Sequence, residues 1–116
     1  MPVRVPASVK ALIAAHPALG LIGHTPLVRV DLFQEELPHV EIYAKVESMN
    51  PGGSLKDRPG LRILSEAVAD GRLRPGMTIL DSSSGNAGIA YALIGGVLGY
   101  PVTVVLPDNS STERRR

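Results

Sequence analysis

The most informative stretch of the sequence reads Asn50-Pro51-Gly52-Gly53-Ser54-Leu55-Lys56-Asp57-Arg58. It follows a strand-like run, Val40 to Glu47, and precedes a helical pattern, Leu61 to Ala69. Lys56 therefore lies in a turn whose glycines permit φ > 0 and the close approach of a bulky group. A lysine that is partly removed from water there loses its proton readily and acts as a nucleophile. The alternative is a solvated loop lysine; a phosphate loop is disfavoured because the glycine spacing does not match.

A second loop rich in serine and glycine reads Asp81-Ser82-Ser83-Ser84-Gly85-Asn86-Ala87-Gly88. It joins a short apolar strand, Met77 to Leu80, to an almost wholly apolar helix, Ile89 to Leu98. In open α/β sheets ligands bind at the carboxyl ends of strands. The first N–H groups of a helix lack internal partners, which suits a carboxylate or phosphate. Ser83, Ser84 and Asn86 add side-chain donors, although an ordinary helix cap with additional serines explains the same pattern.

The rest of the chain alternates helical patterns with apolar strands. We predict a helix from Ser8 to Ala15 capped by Ser8, and short strands at Leu27–Val30 and Val102–Leu106. The run Val40 to Glu47 predicts a half-buried strand with Val40, Ile42, Ala44 and Val46 on its buried face. Asp57 is predicted to cap the helix that follows, whose core-facing residues are Leu61, Leu64, Ala67 and Val68. This order predicts an α/β fold of βαβ units with a parallel sheet covered on both faces.

Composition excludes several classes of function. The 116 residues carry 12 basic and 11 acidic side chains, so no nucleic-acid or membrane partner is indicated. The absence of cysteine excludes disulfides, thiolate zinc sites and cysteine nucleophiles, and the three histidines share no ligand spacing, so we predict no metal site. Proline and glycine interrupt the two long apolar segments, Ala11 to Gly23 and Ile89 to Leu106. We therefore expect a soluble, cytoplasmic protein.

The end of the chain indicates a longer protein. Ser110-Ser111-Thr112-Glu113 is a capping box, which announces a helix, and only Arg114 to Arg116 follow it. We expect residues 1–116 to be the N-terminal part of an enzyme, truncated within the first turn of a helix. Residues from about 100 to 116 are expected to be the entry into, or part of, a smaller mobile subdomain.

Four motifs together resemble the cysteine synthase and cystathionine β-synthase family, which consists of pyridoxal-phosphate enzymes of fold type II (tryptophan synthase β-like). They occur in the order of the family and at suitable spacings, and they cover the chain from about Gly20. The motifs are Ile22-Gly23-His24-Thr25-Pro26-Leu27-Val28, Asn50 to Pro59, Ser83 to Gly88, and Gly99-Tyr100-Pro101 through Leu106-Pro107. The resemblance implies an incomplete example of this fold, because the phosphate cup and the group facing the pyridine nitrogen come from the later half of the family's chain.

The resemblance also implies roles for individual residues. Lys56 would form the Schiff base with pyridoxal 5'-phosphate and then act as the base toward the substrate α-proton. Asn86 would hydrogen-bond the phenolic oxygen of the cofactor. The substrate α-carboxylate would be held by the loop Ser83, Ser84, Gly85, Asn86 and Ala87, where Ala87 stands in place of the usual threonine. No metal is implied.

The implied reaction is a β-replacement in cysteine biosynthesis. A sulfur nucleophile would replace the leaving group of an activated serine, either O-acetylserine or O-phosphoserine, and give cysteine or a related S-amino acid. The partners would be the amino-acid substrate, the sulfur donor and a second identical subunit. Three alternatives stay open: cystathionine β-synthase, a dehydratase-type β-elimination, and a catalytically inactive truncated fragment that at most binds a partner chain.

Overall fold

The computed structural model describes residues 8–83 and 85–115. The described part contains four α-helices, four β-strands and two short 3-10 turns, at Leu19–Leu21 and Glu47–Met49. In chain order the elements are α1 (Val9–Ala15), β1 (Leu27–Val30), β2 (Ile42–Lys45), α2 (Asp57–Ala69), β3 (Ile79–Ser82), α3 (Asn86–Leu98), β4 (Val102–Val105) and α4 (Thr112–Arg115). No helix among these residues is long and apolar enough to cross a membrane.

The predicted βαβ unit is present in the second half of the chain. Strand β3 pairs in parallel with β4, from Ile79 opposite Val102 to Ser82 opposite Val105, and α3 forms the crossover between them. In contrast, β1 and β2 form a separate antiparallel pair, in which Leu27 is opposite Lys45. Residues 31–41 connect them as turns and loop rather than as a helix, and strands joined in this way can pair antiparallel.

Sequence periodicity located the elements well and their ends less well. Ser8 caps α1 as predicted, since its hydroxyl accepts a hydrogen bond from the Ala11 N–H at 3.1 Å. Strand β2 is shorter than predicted, and Val40 is exposed rather than on a buried face. Strand β3 begins two residues later than predicted, because the turn after α2 extends to Met77, whose N–H donates to the Arg74 carbonyl.

The core lies where the three longer helices meet the β3–β4 pair. Helix α2 approaches α3 closely at Gly60, where a Cβ would lie 3.2 Å from both Ala90 Cβ and Ile94 Cδ1. Helix α3 in turn lies on the sheet at Gly88 and Gly95. The buried core residues are Leu12, Leu19, Ile22, Leu64, Val68, Leu73, Ile79 and Ile94.

Only one face of the β3–β4 pair is covered by the described residues: the cover on both faces predicted for the sheet is not present, whereas an incomplete sheet is expected to leave an apolar face exposed. Helix α3 packs over Ile79 and Val102, whereas Leu80 is 69% exposed and Val105 is 55% exposed on the opposite face. The reason is that α2 packs against α3 rather than against the other side of the sheet. Parallel strands are ordinarily buried on both faces, so this apolar face is an unusual surface.

The molecule is flat and extended. Its principal dimensions are 62 × 38 × 18 Å and its radius of gyration is 17.6 Å, whereas a compact chain of this length has a radius of about 13 Å. The β1–β2 pair contributes to this shape, because Leu27, Tyr43 and, in the connection, Leu32 and Phe33 are all exposed.

Adjacent glycines in α3 provide a test of this packing. Gly95→Ala should destabilise the protein by about 1–3 kcal/mol, because the new Cβ would meet Val102 and Ile79. Gly96→Ala should instead stabilise it by about 0.5–1 kcal/mol, since nothing lies within 4 Å of its Cβ position and alanine favours the helix. Urea unfolding of both variants measures the difference, and equal effects would contradict the close contact of α3 with the sheet.

Candidate active site

The turn that carries Lys56 is closed by hydrogen bonds between its own residues. The Gly53 N–H donates to the Asn50 carbonyl at 2.8 Å, and Gly53 has a φ of 84°, which glycine adopts without strain. The Lys56 N–H donates to the Ser54 hydroxyl at 3.2 Å. Lys56 is the residue immediately before α2, so its side chain leaves the backbone at the start of that helix.

Asp57 closes the turn from the inside. Its side chain is fully buried, and Oδ2 accepts a hydrogen bond from the Gly52 N–H at 2.5 Å. A Cβ on Gly52 would collide with Oδ1, so glycine is required at this position. The prediction that Asp57 is the N-cap of α2 is therefore wrong: Asp57 is the first helical residue, and its carboxylate bonds back to the preceding turn.

The Lys56 side chain is exposed to solvent. Among residues 8–83 and 85–115 its amine has no hydrogen-bond or ion-pair partner. Lys45 differs, because its amine donates to the Thr25 carbonyl. Lys56 therefore lies in solvent in the described residues, as in the solvated-loop alternative, and the partial removal from water considered from the sequence is not observed.

A carboxylate that the sequence analysis did not single out organises the surroundings of this turn. Glu47 receives four hydrogen bonds: Oε1 accepts from the Thr25 hydroxyl at 2.6 Å and from Arg58 Nη2 at 2.8 Å. Oε2 accepts from Arg58 Nε at 2.7 Å and from Asn50 Nδ2 at 2.8 Å. The Glu47 side chain is 20% exposed.

These contacts shift the ionisation of the pair. Hydrogen bonds to Glu47, first from Arg58 and then from Thr25, lower the pKa of the carboxyl group from 4.5 to about 2. The hydrogen bonds to Glu47 in turn raise the pKa of the Arg58 guanidinium. Both groups are therefore charged across the whole range in which enzymes work, and their interaction is a charge-assisted, two-pronged hydrogen bond.

The second predicted loop is built around Ser83. Its hydroxyl accepts from the Gly88 N–H at 2.9 Å and from the Gly85 N–H at 3.3 Å, so it caps the start of α3. Ser84 lies outside the described residues. Asn86 and Ala87 form the first turn of α3, and Asn86 is exposed. The first N–H groups of a helix have no acceptor within it, which leaves those of Asn86 and Ala87 for a ligand.

The two loops lie at the same end of the molecule because α2 and α3 run in the same direction. Gly60, four residues after Lys56, packs on Ala90, four residues after Asn86. Beyond the other ends of the two helices, the Tyr100 hydroxyl donates to the Leu73 carbonyl at 3.4 Å. Lys56 and the first N–H groups of α3 thus lie at the same end of the two packed helices.

A mainly apolar cavity of about 410 Å³ adjoins the start of α3. This volume is within the range of about 300–1,000 Å³ that is usual for small-molecule sites. It is lined by Gly85, Gly88, Ile89, Ala92, Leu93, Val104 and Leu106. Sequence patterns did not predict it, because its walls come from α3 and from the chain around β4. These lining residues belong to the start and one side of α3 and to the chain around β4, whereas α2 contacts α3 at Ala90 and Ile94.

Comparison with known proteins gives consistent matches. Residues 18–116 match the family model for "Pyridoxal-phosphate dependent enzyme". The chain is 48% identical over 105 residues to the cysteine synthase of Aquifex aeolicus. The match covers 89% of this chain and 32% of that protein. It is 42% identical over 101 residues to the cystathionine beta-synthase of Saccharomyces cerevisiae, covering 85% of this chain and 20% of that one.

Solved structures also match this chain. The crystal structure of O-acetyl serine sulfhydrylase isoform 3 from Entamoeba histolytica superimposes with a TM-score of 0.79 and 43% identity, covering 86% of this chain and 31% of that one. The chain thus spans about a third of the length of the cysteine synthase and the sulfhydrylase that it matches.

The lowered pKa of Glu47 predicts a specific acid sensitivity. A carboxyl group whose pKa falls on folding contributes stability above its unfolded value, and this contribution is lost as the pH falls from about 4.5 toward 2. Glu47→Gln should therefore flatten the pH dependence of the urea midpoint in that window, whereas Glu36→Gln, at an exposed position, should not. Equal pH profiles for the wild type and Glu47→Gln would contradict the ion pair with Arg58.

Proposed function

The chain belongs to the family of pyridoxal-phosphate dependent enzymes, and from this premise we propose that Lys56 is the residue that binds the cofactor covalently. The observation that carries the proposal is the free, exposed amine of Lys56 at the same end as the start of α3. The residues present fit the group: an amine reacts with the cofactor aldehyde, and a glycine-rich turn leaves room beside it.

Each residue has a distinct task in the proposed reaction. When bound, pyridoxal phosphate supplies an electron sink that stabilises negative charge at the substrate Cα. Lys56, the residue that would hold the cofactor, would also take the α-proton on its amine. The N–H groups of Asn86 and Ala87 hold the substrate α-carboxylate, with the positive end of the α3 dipole behind them. The Asn86 side chain, exposed at the same place, would orient the cofactor ring.

We propose β-replacement on an activated serine, O-acetylserine or O-phosphoserine, with a sulfur nucleophile as the reaction of the whole enzyme. The support is that a protein named cysteine synthase is 48% identical to this chain over 105 residues, and that an O-acetyl serine sulfhydrylase superimposes on 86% of it. The product would be cysteine or a related S-amino acid. We further propose that the enzyme works in the cytoplasm as a homodimer.

The alternatives are a cystathionine β-synthase, which the match to the yeast protein favours, a dehydratase-type β-elimination, and an inactive fragment. The bare face of the β3–β4 pair favours the last of these for the chain by itself, since Leu80 and Val105 are exposed on a parallel pair that is ordinarily covered on both faces. The choice between the first two depends on the second substrate. The described loops hold groups for the amino acid and the cofactor, and they do not distinguish sulfide from a larger thiol.

Chemical trapping tests the role of Lys56. The purified chain, incubated with pyridoxal phosphate and reduced with borohydride, should carry the pyridoxyl group on Lys56, because Lys45 is tied to the Thr25 carbonyl. Peptide mapping by mass spectrometry locates the adduct among Lys10, Lys45 and Lys56, and Lys56→Arg serves as the control. Adducts distributed evenly over the three lysines would contradict the proposal.

The substitution at position 87 gives a second test. A threonine hydroxyl there would add a charge-assisted hydrogen bond to the substrate carboxylate, worth about 1.5–3 kcal/mol. A chimaera can be made in which this chain replaces the matching 105 residues of the Aquifex aeolicus cysteine synthase. In it, Ala87→Thr should lower the KM for O-acetylserine about tenfold or more, while Ala14→Thr, on exposed α1, should not. An unchanged KM in Ala87→Thr would place the carboxylate elsewhere.

A further inference from the structure

We propose that Glu47 is the positioning residue for Lys56: it ties the chain before the lysine and the chain after it to one carboxylate. This inference deepens the proposed function, because it assumes that Lys56 is the reactive lysine. Glu47 touches neither the lysine side chain nor the second loop among the described contacts, so any effect on the chemistry must pass through the backbone of the turn.

The chain before Lys56 is held through Asn50. This buried side chain donates from Nδ2 to a Glu47 carboxylate oxygen, to the Glu47 carbonyl at 3.0 Å and to the Ser54 carbonyl at 3.0 Å. Its Oδ1 accepts from the Gly23 N–H at 2.8 Å. Asn50 therefore fixes both ends of the turn that runs from position 50 to position 54, two residues before the lysine.

The chain after Lys56 is held through Arg58. Its guanidinium binds both oxygens of Glu47 and also donates from Nη2 to the Gly23 carbonyl at 3.0 Å and to the Thr25 hydroxyl at 3.2 Å. Arg58 lies in the first turn of α2, so these bonds fix the start of the helix from which Lys56 projects. The Asp57–Gly52 bond closes the same turn internally, but it does not connect the turn to the chain before β1.

The arrangement is stronger than an ordinary surface ion pair. Exposed pairs generally add little stability, but paired, two-pronged arginine–carboxylate contacts within a network are the exception. Each Glu47 oxygen receives one bond from Arg58 and one from a neutral donor, Thr25 or Asn50. Glutamine at position 47 would keep the shape of the side chain and lose its charge. Its NH₂ group would replace one carboxylate oxygen and would face the two donors that bind that oxygen.

Positioning matters here because the lysine itself is unconstrained. The Lys56 side chain is exposed, so the described contacts of this residue hold only its backbone in place. A displacement of about 1 Å in a reacting group can cost about 100-fold in rate. Loss of the Glu47 contacts should therefore slow the reaction of Lys56 with the cofactor more than it disturbs the fold.

The test compares Glu47→Gln and Arg58→Lys with Glu66→Gln, which removes the exposed Arg62–Glu66 ion pair from the same helix. Each chain is incubated with pyridoxal phosphate well below its melting temperature and reduced with borohydride at timed intervals. Both site variants should form the Lys56 adduct at least about tenfold more slowly than the wild type, with a larger share of adduct on Lys10. Glu66→Gln should match the wild type. An unchanged rate at Lys56 in Glu47→Gln overturns the inference.

Amide hydrogen exchange provides a readout that needs no cofactor. In Glu47→Gln the amides of residues 53–58 and of Gly60 should exchange at least about tenfold faster than the change in global stability measured by urea unfolding accounts for, while those of α3 should change by no more than that amount. Equal acceleration along the whole chain, or none at all, overturns the inference, because Glu47 would then stabilise the protein generally or not at all. If the wild type itself forms no adduct at Lys56, the proposed function fails, and the exchange data still decide whether Glu47 fixes the turn.

Discussion

Close contact between α2 and α3 is the constraint on which the arrangement of the site depends. The two helices touch where Gly60 faces Ala90, and α3 touches the sheet where Gly88 and Gly95 face strand side chains. Larger residues at these positions would push the layers apart. Because the helices run in the same direction, this contact determines which loops become neighbours. The turn of Lys56 and the first turn of α3 come to one end, although 30 residues separate the lysine from Asn86 in the sequence.

Helix packing alone leaves the turn before α2 loosely defined, and the polar network supplies the remaining constraint. Glu47, Arg58 and Asn50 link the turn to the backbone of Gly23, the residue after the core side chain Ile22. An ion pair between Glu47 and Arg58 therefore holds the turn that carries Lys56. This arrangement suits the proposed role of Lys56, whose amine would change its bonding while its backbone stays in place.

Local patterns in the sequence predicted most of the elements and proposed Lys56 as the reactive residue, and non-local contacts account for what was missed. Periodicity identified Leu64 and Val68 as core positions of α2, and the glycine-rich turn singled out Lys56. The role of Glu47 was not predictable, because its partners lie between 3 and 22 residues away and their side chains meet only in the fold. The antiparallel pairing of β1 with β2 likewise depends on how elements pack, which periodicity does not record.

The central claim is that the Lys56 turn and the start of α3 form one site. Titration of the ¹⁵N-labelled chain with pyridoxal phosphate, followed by the backbone amide signals, tests it directly. If the two loops form one site, the signals of residues 52–58 and of residues 85–88 should shift together and with the same dissociation constant. Shifts confined to one of the two loops, or centred on the exposed β1–β2 pair, would contradict it.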